Sequence, residues 1–264
     1  MNDCSSLISV IVTTFNRENL LKETLHSILS QTYRNIELIV IDNYSEYDFF
    51  QLINSFQDKR IRGYQNKNNG IIAANRNFGI KKAIGEFIAF CDDDDLWHPD
   101  KLKKQMDAII QNNAICLVYT LYQEINHEVI LDRILPRKKR RYEGNNIFLK
   151  LLFSSVIPNS SVLLRKEIIE CVGYFDENPK LKAVEDWDLW LRVSQKYQIG
   201  LVLEPLTFYR LNLNGISKVS LFKNIKRINY VLLKHYSAIS PVAYILALTK
   251  YVLFHAIRNL KQYL

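Results

Sequence analysis

The chain has 264 residues, 48% of them hydrophobic, which is enough to bury the core of a large α/β domain and too apolar for a disordered polypeptide. Its net charge of +8 sits at one end: residues 205–264 contain nine basic residues and no Asp or Glu, so residues 1–204 carry a net charge of −1. Four cysteines (Cys4, Cys91, Cys116, Cys171) lie far apart with no Cys-x-x-Cys pair, which excludes a zinc knuckle or a disulfide framework and reads as reduced cytosolic thiols.

Met1 to Ser6 contains an acid and no basic leader, so no secretory signal is expected. Leu7 to Phe15 is a nearly continuous apolar, β-branched run, the pattern of a parallel strand covered on both faces. Helical spacing follows over Glu18 to Gln31, then a buried strand over Ile36 to Ile41 that ends at Asp42, Asn43, Tyr44 and Ser45. A short helix is predicted over Phe49 to Phe56, a strand over Ile61 to Tyr64, a helix over Ile71 to Ala83 and a strand over Phe87 to Cys91. Strands alternating with helices predict right-handed crossovers and a doubly wound, mainly parallel sheet. Ligands of such sheets bind beyond the carboxyl ends of the strands, and the polar clusters Thr13 to Arg17, Asp42 to Ser45 and Asp92 to Asp95 fall there.

The run Asp92-Asp93-Asp94-Asp95 is the most informative of these clusters. Adjacent carboxylates repel one another unless a positive charge lies between them, and a divalent cation is one such charge. Oxygen ligands suit Mg²⁺ or Mn²⁺, while the lone flanking Cys91 and His98 make no zinc pattern. The alternative is a solvated acidic turn that caps a helix opening near Trp97, with Asp95 as the cap.

Past Ile115 the pattern is weaker. Strands are expected over Cys116 to Tyr122, Val129 to Leu131, Ser160 to Leu164, Gly200 to Leu203 and Leu206 to Tyr209, with a helix over Val184 to Lys196. A basic cluster stands at Arg137 to Arg141. From Ser217 onward two helices split by Pro241 are predicted. They combine cations with apolar residues as membrane-surface helices do, though Lys250, His255 and Arg258 interrupt any spanning run. Packing of these helices on the catalytic domain or on a second subunit, as in a homodimer, is the other reading.

Five pieces occur in order: Ile8 through Arg17; the strand ending in Asp42; Asn69-Gly70 through Arg76-Asn77-Phe78-Gly79-Ile80; Gly85 through Trp97; and Glu185-Asp186-Trp187-Asp188-Leu189-Trp190-Leu191-Arg192. Together, over residues 7 to about 217, they resemble family 2 glycosyltransferases of the GT-A fold. The resemblance implies an inverting enzyme that moves a sugar from a nucleotide diphosphate, expected to be a UDP-sugar, to a hydroxyl of a saccharide acceptor. It implies a catalytic domain over 1–216, with a nucleotide-binding half 1–115 and an acceptor half 116–216, followed by a basic helical extension over 217–264. Thr13, Phe15 and Arg17 fall on the donor side, with Phe15 an apolar face for the base. Asp42 and Asn43 match the acidic pair that reads the base, although Asn43 replaces a carboxylate with an amide. Arg76 matches the donor-site arginine, Asp94 the metal ligand for Mn²⁺ or Mg²⁺, and Asp92 and Asp93 the ribose or a water on the metal. Asp186 matches the general base, with Glu185 and Trp187 on the acceptor side. Asn212 stands where relatives often place a histidine, which leaves the ion to Asp94 and the diphosphate.

The basic tail extends these expectations to an anionic membrane surface and to a polyprenyl-diphosphate-linked acceptor in cell-surface polysaccharide synthesis, at the cytoplasmic face of the membrane. Three readings compete. A glycoside hydrolase also uses two carboxylates, but needs no nucleotide pocket. A sugar-nucleotide-forming nucleotidyltransferase would show a Gly-rich, Lys-containing phosphate loop after the first strand, and none is present. Nucleic-acid binding through Arg137 to Arg141 has aromatic interleaving only at Tyr142 and no known motif, so no nucleic-acid partner is expected.

Overall fold

The computed structural model describes residues 6–126, 129–211 and 220–263. In chain order these form β1 (Ile8–Thr14), α1 (Glu18–Leu29), β2 (Ile36–Asp42), α2 (Phe49–Ser55), β3 (Ile61–Gln65), α3 (Ile72–Lys82), β4 (Phe87–Asp92) and β5 (Leu96–Trp97). Then come α4 (Lys101–Gln111), β6 (Ile115–Asn126), β7 (Val129–Leu135), α5 (Phe148–Leu152), β8 (Val162–Arg165) and α6 (Lys166–Val172). The chain continues through α7 (Glu185–Lys196), β9 (Gln198–Arg210), α8 (Leu221–Lys234) and α9 (Pro241–Tyr263).

The nine described strands form one sheet in the order β3-β2-β1-β4-β8-β6-β9-β5, with β7 paired to β6. Its first half is parallel, as the alternating pattern requires, and β1 and β2 are buried along their whole length. Register then fixes the site: Thr13 at the end of β1 lies beside Asp92 of β4, and Thr14 lies beside Asp42 of β2. The second half is mixed, because β8 runs antiparallel to both β4 and β6 while β9 runs parallel to β6.

Gly79 explains how closely α3 approaches the sheet. A Cβ there would fall 2.6 Å from Ile11 Cγ2 and 2.8 Å from Ile41 Cδ1. Only the bare backbone lets α3 lie flat on β1 and β2 and present Arg76 to the strand ends.

Several sequence expectations need correction. The helix expected to open near Trp97 begins at Lys101 instead, because Leu96–Trp97 pairs with Thr207 and Phe208 of β9. The two short strands expected around Pro205 are one strand, β9, whose register against β6 shifts on the stretch containing that imide. Helices α5 and α6, of five and seven residues, were too short to give a periodic signal.

At the C-terminus the break at Pro241 separates α8 from α9. Asn212 and Ser217 lie outside the described residues. Ile228, Val231, Leu232 and Ala247 are buried in the same core as Ile11, Phe90 and Trp190, so the two helices pack on the domain. Asp188 of α7 fastens them. Its fully buried carboxylate accepts from Lys234 at 2.9 Å, meets His235 Nε2 at 3.1 Å and pairs with Arg192 of its own helix at 3.0 Å. Burial alone would raise its pKa, but these three partners outweigh burial and hold it down at about 2. The outer face of α9, including Val242, Ile245, Leu246 and Leu253, remains exposed. Among the described residues no helix is long and apolar enough to cross a membrane.

Candidate active site

The polar clusters converge at the carboxyl edge of the parallel strands, and two arginines organise them. Arg76, 4% exposed on α3, donates 2.8 Å to Asp92 Oδ1 at the end of β4 and 2.6 Å to Glu185 Oε1 at the start of α7. Burial opposes its charge, but Asp92, Glu185 and Asp186 outweigh burial and hold its pKa above the ordinary arginine value. Arg17, just past β1, donates to Asp93 at 2.8 Å and to Asp94 at 2.7 Å. Asp93 is nevertheless pushed up to about 6, because burial outweighs that partner.

Asp95 does not cap a helix, contrary to the sequence reading. It accepts 2.9 Å from the backbone N–H of Arg210 and 2.5 Å from the Ser160 hydroxyl, tying the acidic turn to β9 and to the turn before β8. Asp92 and Asp95 therefore have partners of their own, while Asp93 and Asp94 share Arg17. The counter-charge that permits the run is supplied inside the chain by Arg17 and Arg76, where the sequence reading offered a cation or a solvated turn.

Asp42, fully buried, is held by Ser45 through Oγ at 2.5 Å and through its N–H at 3.0 Å, and by Gln65 at 3.0 Å. Asn43 Oδ1 accepts 2.9 Å from the N–H of Asn68. Asn16 takes a left-handed turn (φ 53°) and bonds Ser45 and Glu46, which joins the loops after β1 and β2. Above them Phe15 stands 51% exposed, and Thr13 Oγ1 is buried without a hydrogen-bond partner among the described residues.

On the far side, Ala183 turns left-handed (φ 66°) into α7, a sparsely populated conformation for alanine. Asp186 follows in the first turn, its Oδ1 accepting from the Trp187 N–H at 2.8 Å. Burial, then the neighbouring Glu185, push its pKa up to about 7, against the opposing pull of Arg76. Trp187 is corrected. It is 2% exposed, donates 2.9 Å to the carbonyl of Leu151 and packs on Tyr251, so its ring supports α7 from within and is closed to an acceptor. Glu185 is likewise buried beneath Asp186 and committed to Arg76. Arg76, expected to approach a diphosphate, is enclosed between its two acids.

Sequence reasoning missed the tyrosines of the cleft. Tyr122 and Tyr209 face one another at 6.0 Å between ring centroids, and both lie within electrostatic reach of Asp95. Tyr209 is also close enough to feel Asp92, Asp94 and Asp186. Burial raises the pKa of Tyr122 to about 12. The family-like segment ending at Asn212 was the available signal for Tyr209; an isolated Tyr122 on a long strand gave none. Ser160 and Asn159, which bond the Asp92 N–H at 3.0 Å and Asp92 Oδ1 at 3.2 Å, were also unmarked.

The oxygens gathered here suit Mg²⁺ or Mn²⁺. Among the described residues no three His, Cys, Asp or Glu side chains converge closely enough to hold an ion by themselves. The fit is to an ion that takes one or two carboxylates and completes its shell with phosphate and water, the usual habit of Mg²⁺.

Comparison with known proteins identifies the family of the chain. Residues 9–173 match the family model of Glycosyl transferase family 2. The chain is 31% identical over 223 residues to the Escherichia coli UDP-Glc:alpha-D-GlcNAc-diphosphoundecaprenol beta-1,3-glucosyltransferase WfgD, covering 84% of this chain and 83% of that one. An uncharacterized glycosyltransferase of Rickettsia felis is 34% identical over 206 residues, 78% of this chain and 33% of that protein, so the chain spans about a third of that relative's length. Among solved structures, S. aureus TarS in complex with UDP-GlcNAc superposes with a TM-score of 0.73 at 18% identity, covering 93% of this chain and 71% of that one. The mannosyltransferase PcManGT of Pyrobaculum calidifontis, in complex with GDP-Man and Mn²⁺, gives 0.64 at 16% identity, covering 93% and 68%.

Because Arg76 is buried between two acids on different elements, its removal leaves both uncompensated. Arg76→Ala is expected to lower unfolding stability by about 3–5 kcal/mol, read from the urea midpoint; a loss below about 1 kcal/mol would show that the pairs do not hold the two halves together.

Proposed function

The chain belongs to glycosyl transferase family 2 and has the GT-A fold, and from that premise we propose that it transfers a sugar from a UDP-sugar to a hydroxyl of a lipid-linked saccharide, with inversion. The observation that supports the reading is the coupling by Arg76 of the strand-end acid Asp92 to the helix that begins Glu185-Asp186. A cluster of strand-end carboxylates, which we read as the donor side, and a carboxylate of raised pKa, which we read as the acceptor side, are thereby linked through one guanidinium.

In this reading residues 1–216 are the catalytic unit, with 1–115 serving the donor and 116–216 the acceptor, and 217–264 form the extension. The base lies against Phe15, with Asp42 and Asn43 at its edge; the Asn43 amide both donates and accepts, as a uracil ring requires. Thr13, Arg17, Asp92 and Asp93 face the ribose and diphosphate. Mn²⁺ or Mg²⁺ would be held at Asp94 together with the substrate's phosphates, supplying Lewis-acid stabilisation to the leaving diphosphate. The acceptor oxygen attacks the anomeric carbon while the bond from that carbon to the diphosphate oxygen breaks, and the nucleoside diphosphate leaves with the electron pair. Asp186 takes the acceptor's hydroxyl proton as the new bond forms. Glu185 and Arg76 act behind it, setting its place and its proton affinity. The UDP-linked substrate in the name of WfgD and the UDP-GlcNAc bound to TarS support the choice of donor, and the acceptor in the name of WfgD supports a diphosphate-linked lipid in polysaccharide assembly.

A base must be ionised to act. With Asp186 titrating at about 7, kcat/KM is expected to fall about tenfold per pH unit below that value and to level off above it. Asp186→Asn should keep UDP-sugar affinity within about twofold by calorimetry and lose transfer by a factor of about 10² or more; full turnover by this variant would remove Asp186 from the role.

We also place the exposed face of α9, with the basic residues of the tail, against the inner, anionic surface of the membrane. Sedimentation with phosphatidylglycerol vesicles at low salt should carry the protein down and release it at about 1 M salt. A dimeric mass with no vesicle binding would assign that face to a second subunit.

A further inference from the structure

The basic run Arg137, Lys138, Lys139, Arg140 and Arg141 has no part in the site described so far. It forms a single 3-10 turn over Lys138–Arg140, closed by the Arg140 N–H on the carbonyl of Arg137 at 2.7 Å. The turn is anchored firmly on the side leading away from it. The hydroxyl of the buried Tyr119 donates 2.8 Å to the carbonyl of Tyr142 and accepts 3.0 Å from its N–H. Two residues on, Gly144 exchanges backbone hydrogen bonds with Ile199 of β9 at 2.7 and 3.2 Å. Cations 137 to 140 are exposed, and among the described residues none of the five lies within 4 Å of a carboxylate. This sets them apart from Arg17, Arg60, Arg62, Arg76, Arg192 and Arg210, each of which has an acidic partner. Five like charges on a pinned turn repel one another, and among the described residues none of them has an ion-pair partner within 4 Å.

Their position gives the cluster a chemical context. Arg140 lies within electrostatic reach of Tyr122, the tyrosine that is also within reach of Asp95, and of Lys250 and Tyr251 on α9. The ring of Tyr251 packs 5.3 Å from that of Trp187, the residue after Asp186. Through these neighbours Arg140 lies on the side of the site to which Tyr122 of β6 and Tyr251 of α9 belong. β7, which leads into the cluster through Pro136, exposes Val129, Ile130 and Ile134, and α5, which follows the cluster in the chain, exposes Leu149. A ligand that fits must carry concentrated negative charge next to an apolar chain, with its reactive end directed at Asp186. A nucleic acid supplies the charge without the apolar chain.

We propose that Arg137 to Arg140 bind the diphosphate of a polyprenyl-diphosphate-linked acceptor, with the lipid running over the exposed apolar residues of β7 and α5. The proposal rests on the glycosyl-transfer reading for the direction of the sugar, but the binding it describes can be measured separately. Geranyl diphosphate is a soluble probe, and saturating UDP keeps it out of the donor site. The wild-type protein should bind it by calorimetry, more weakly as salt rises, and should bind geraniol and inorganic pyrophosphate at least tenfold more weakly. Replacing the four exposed cations together (Arg137→Ala, Lys138→Ala, Lys139→Ala, Arg140→Ala) should weaken geranyl diphosphate binding at least tenfold, with the melting temperature and UDP binding as controls for folding. Equal affinity in the variant, or no binding by the wild type, overturns the proposal. Binding of phosphatidylglycerol vesicles that falls in the variant while geranyl diphosphate binding stays would overturn it too, by assigning the cluster to general membrane attraction. Absence of UDP binding would count against the donor site and leave the geranyl diphosphate result to stand.

Discussion

A buried guanidinium joins the two functional walls of this protein. Arg76 reaches from α3 to a carboxylate at the end of β4 and to another at the start of α7, residues that the sequence separates by about ninety positions. An arginine this enclosed is tolerable only with its acids in place, and Glu185, equally enclosed, depends on it in turn, while Asp92 is also held by Asn159. The same helix contributes Asn77, whose amide bonds the backbone of Phe175 on both its N–H and its carbonyl, and the Arg76 guanidinium lies 5.4 Å from the Phe175 ring centre. The acidic strand ends and the helix that begins Glu185-Asp186 are therefore positioned by one element. The distance between the acidic strand end and Asp186 is a property of α3 rather than of flexible loops.

The arrangement of charge follows the same logic. Asp93 and Asp94 share Arg17, Asp92 takes Arg76, and Asp95 is satisfied by a backbone N–H and a serine hydroxyl. What remains is an edge where burial leaves Asp93 and Asp186 with raised pKa values while the arginines stay fully charged. Such an edge can receive a diphosphate by letting Arg17 exchange a carboxylate for a phosphate, and it can accept a proton near neutral pH. The tail adds a second linkage: Asp188, two residues past the proposed base, is bound by Lys234 and His235 at the end of α8. Whatever holds α8 and α9 bears on the helix of Asp186.

The parallel half of the fold could be read from the sequence because its strands are buried on both faces and therefore nearly uniform in composition. Asp42, Asp92 and the start of α7 were visible as polar residues at the ends of such runs. Long-range pairing was not. The sequence places Arg76 on a helix, but nothing local says that it turns inward between two acids. Trp187 likewise has the composition of a sugar platform, and only the packing of α9 through Tyr251 shows why it is core. Tyr122 and Ser160 were hidden because single polar residues in strands and short turns have no periodic signature, and their importance comes from pairings across the sheet. The basic run at 137 to 141 was obvious as charge, while its place within reach of Tyr122 and Tyr251 needed the Tyr119 clasp.

We expect this arginine-compensated acidic edge to receive the nucleotide diphosphate, and a crystal structure determined with UDP and manganese would show it. The uracil ring is expected against Phe15 with Asp42 and Asn43 at its edge, and the phosphates between Arg17 and Asp94. UDP bound elsewhere, with the Arg17 pairs to Asp93 and Asp94 undisturbed and the strand ends empty, would contradict it.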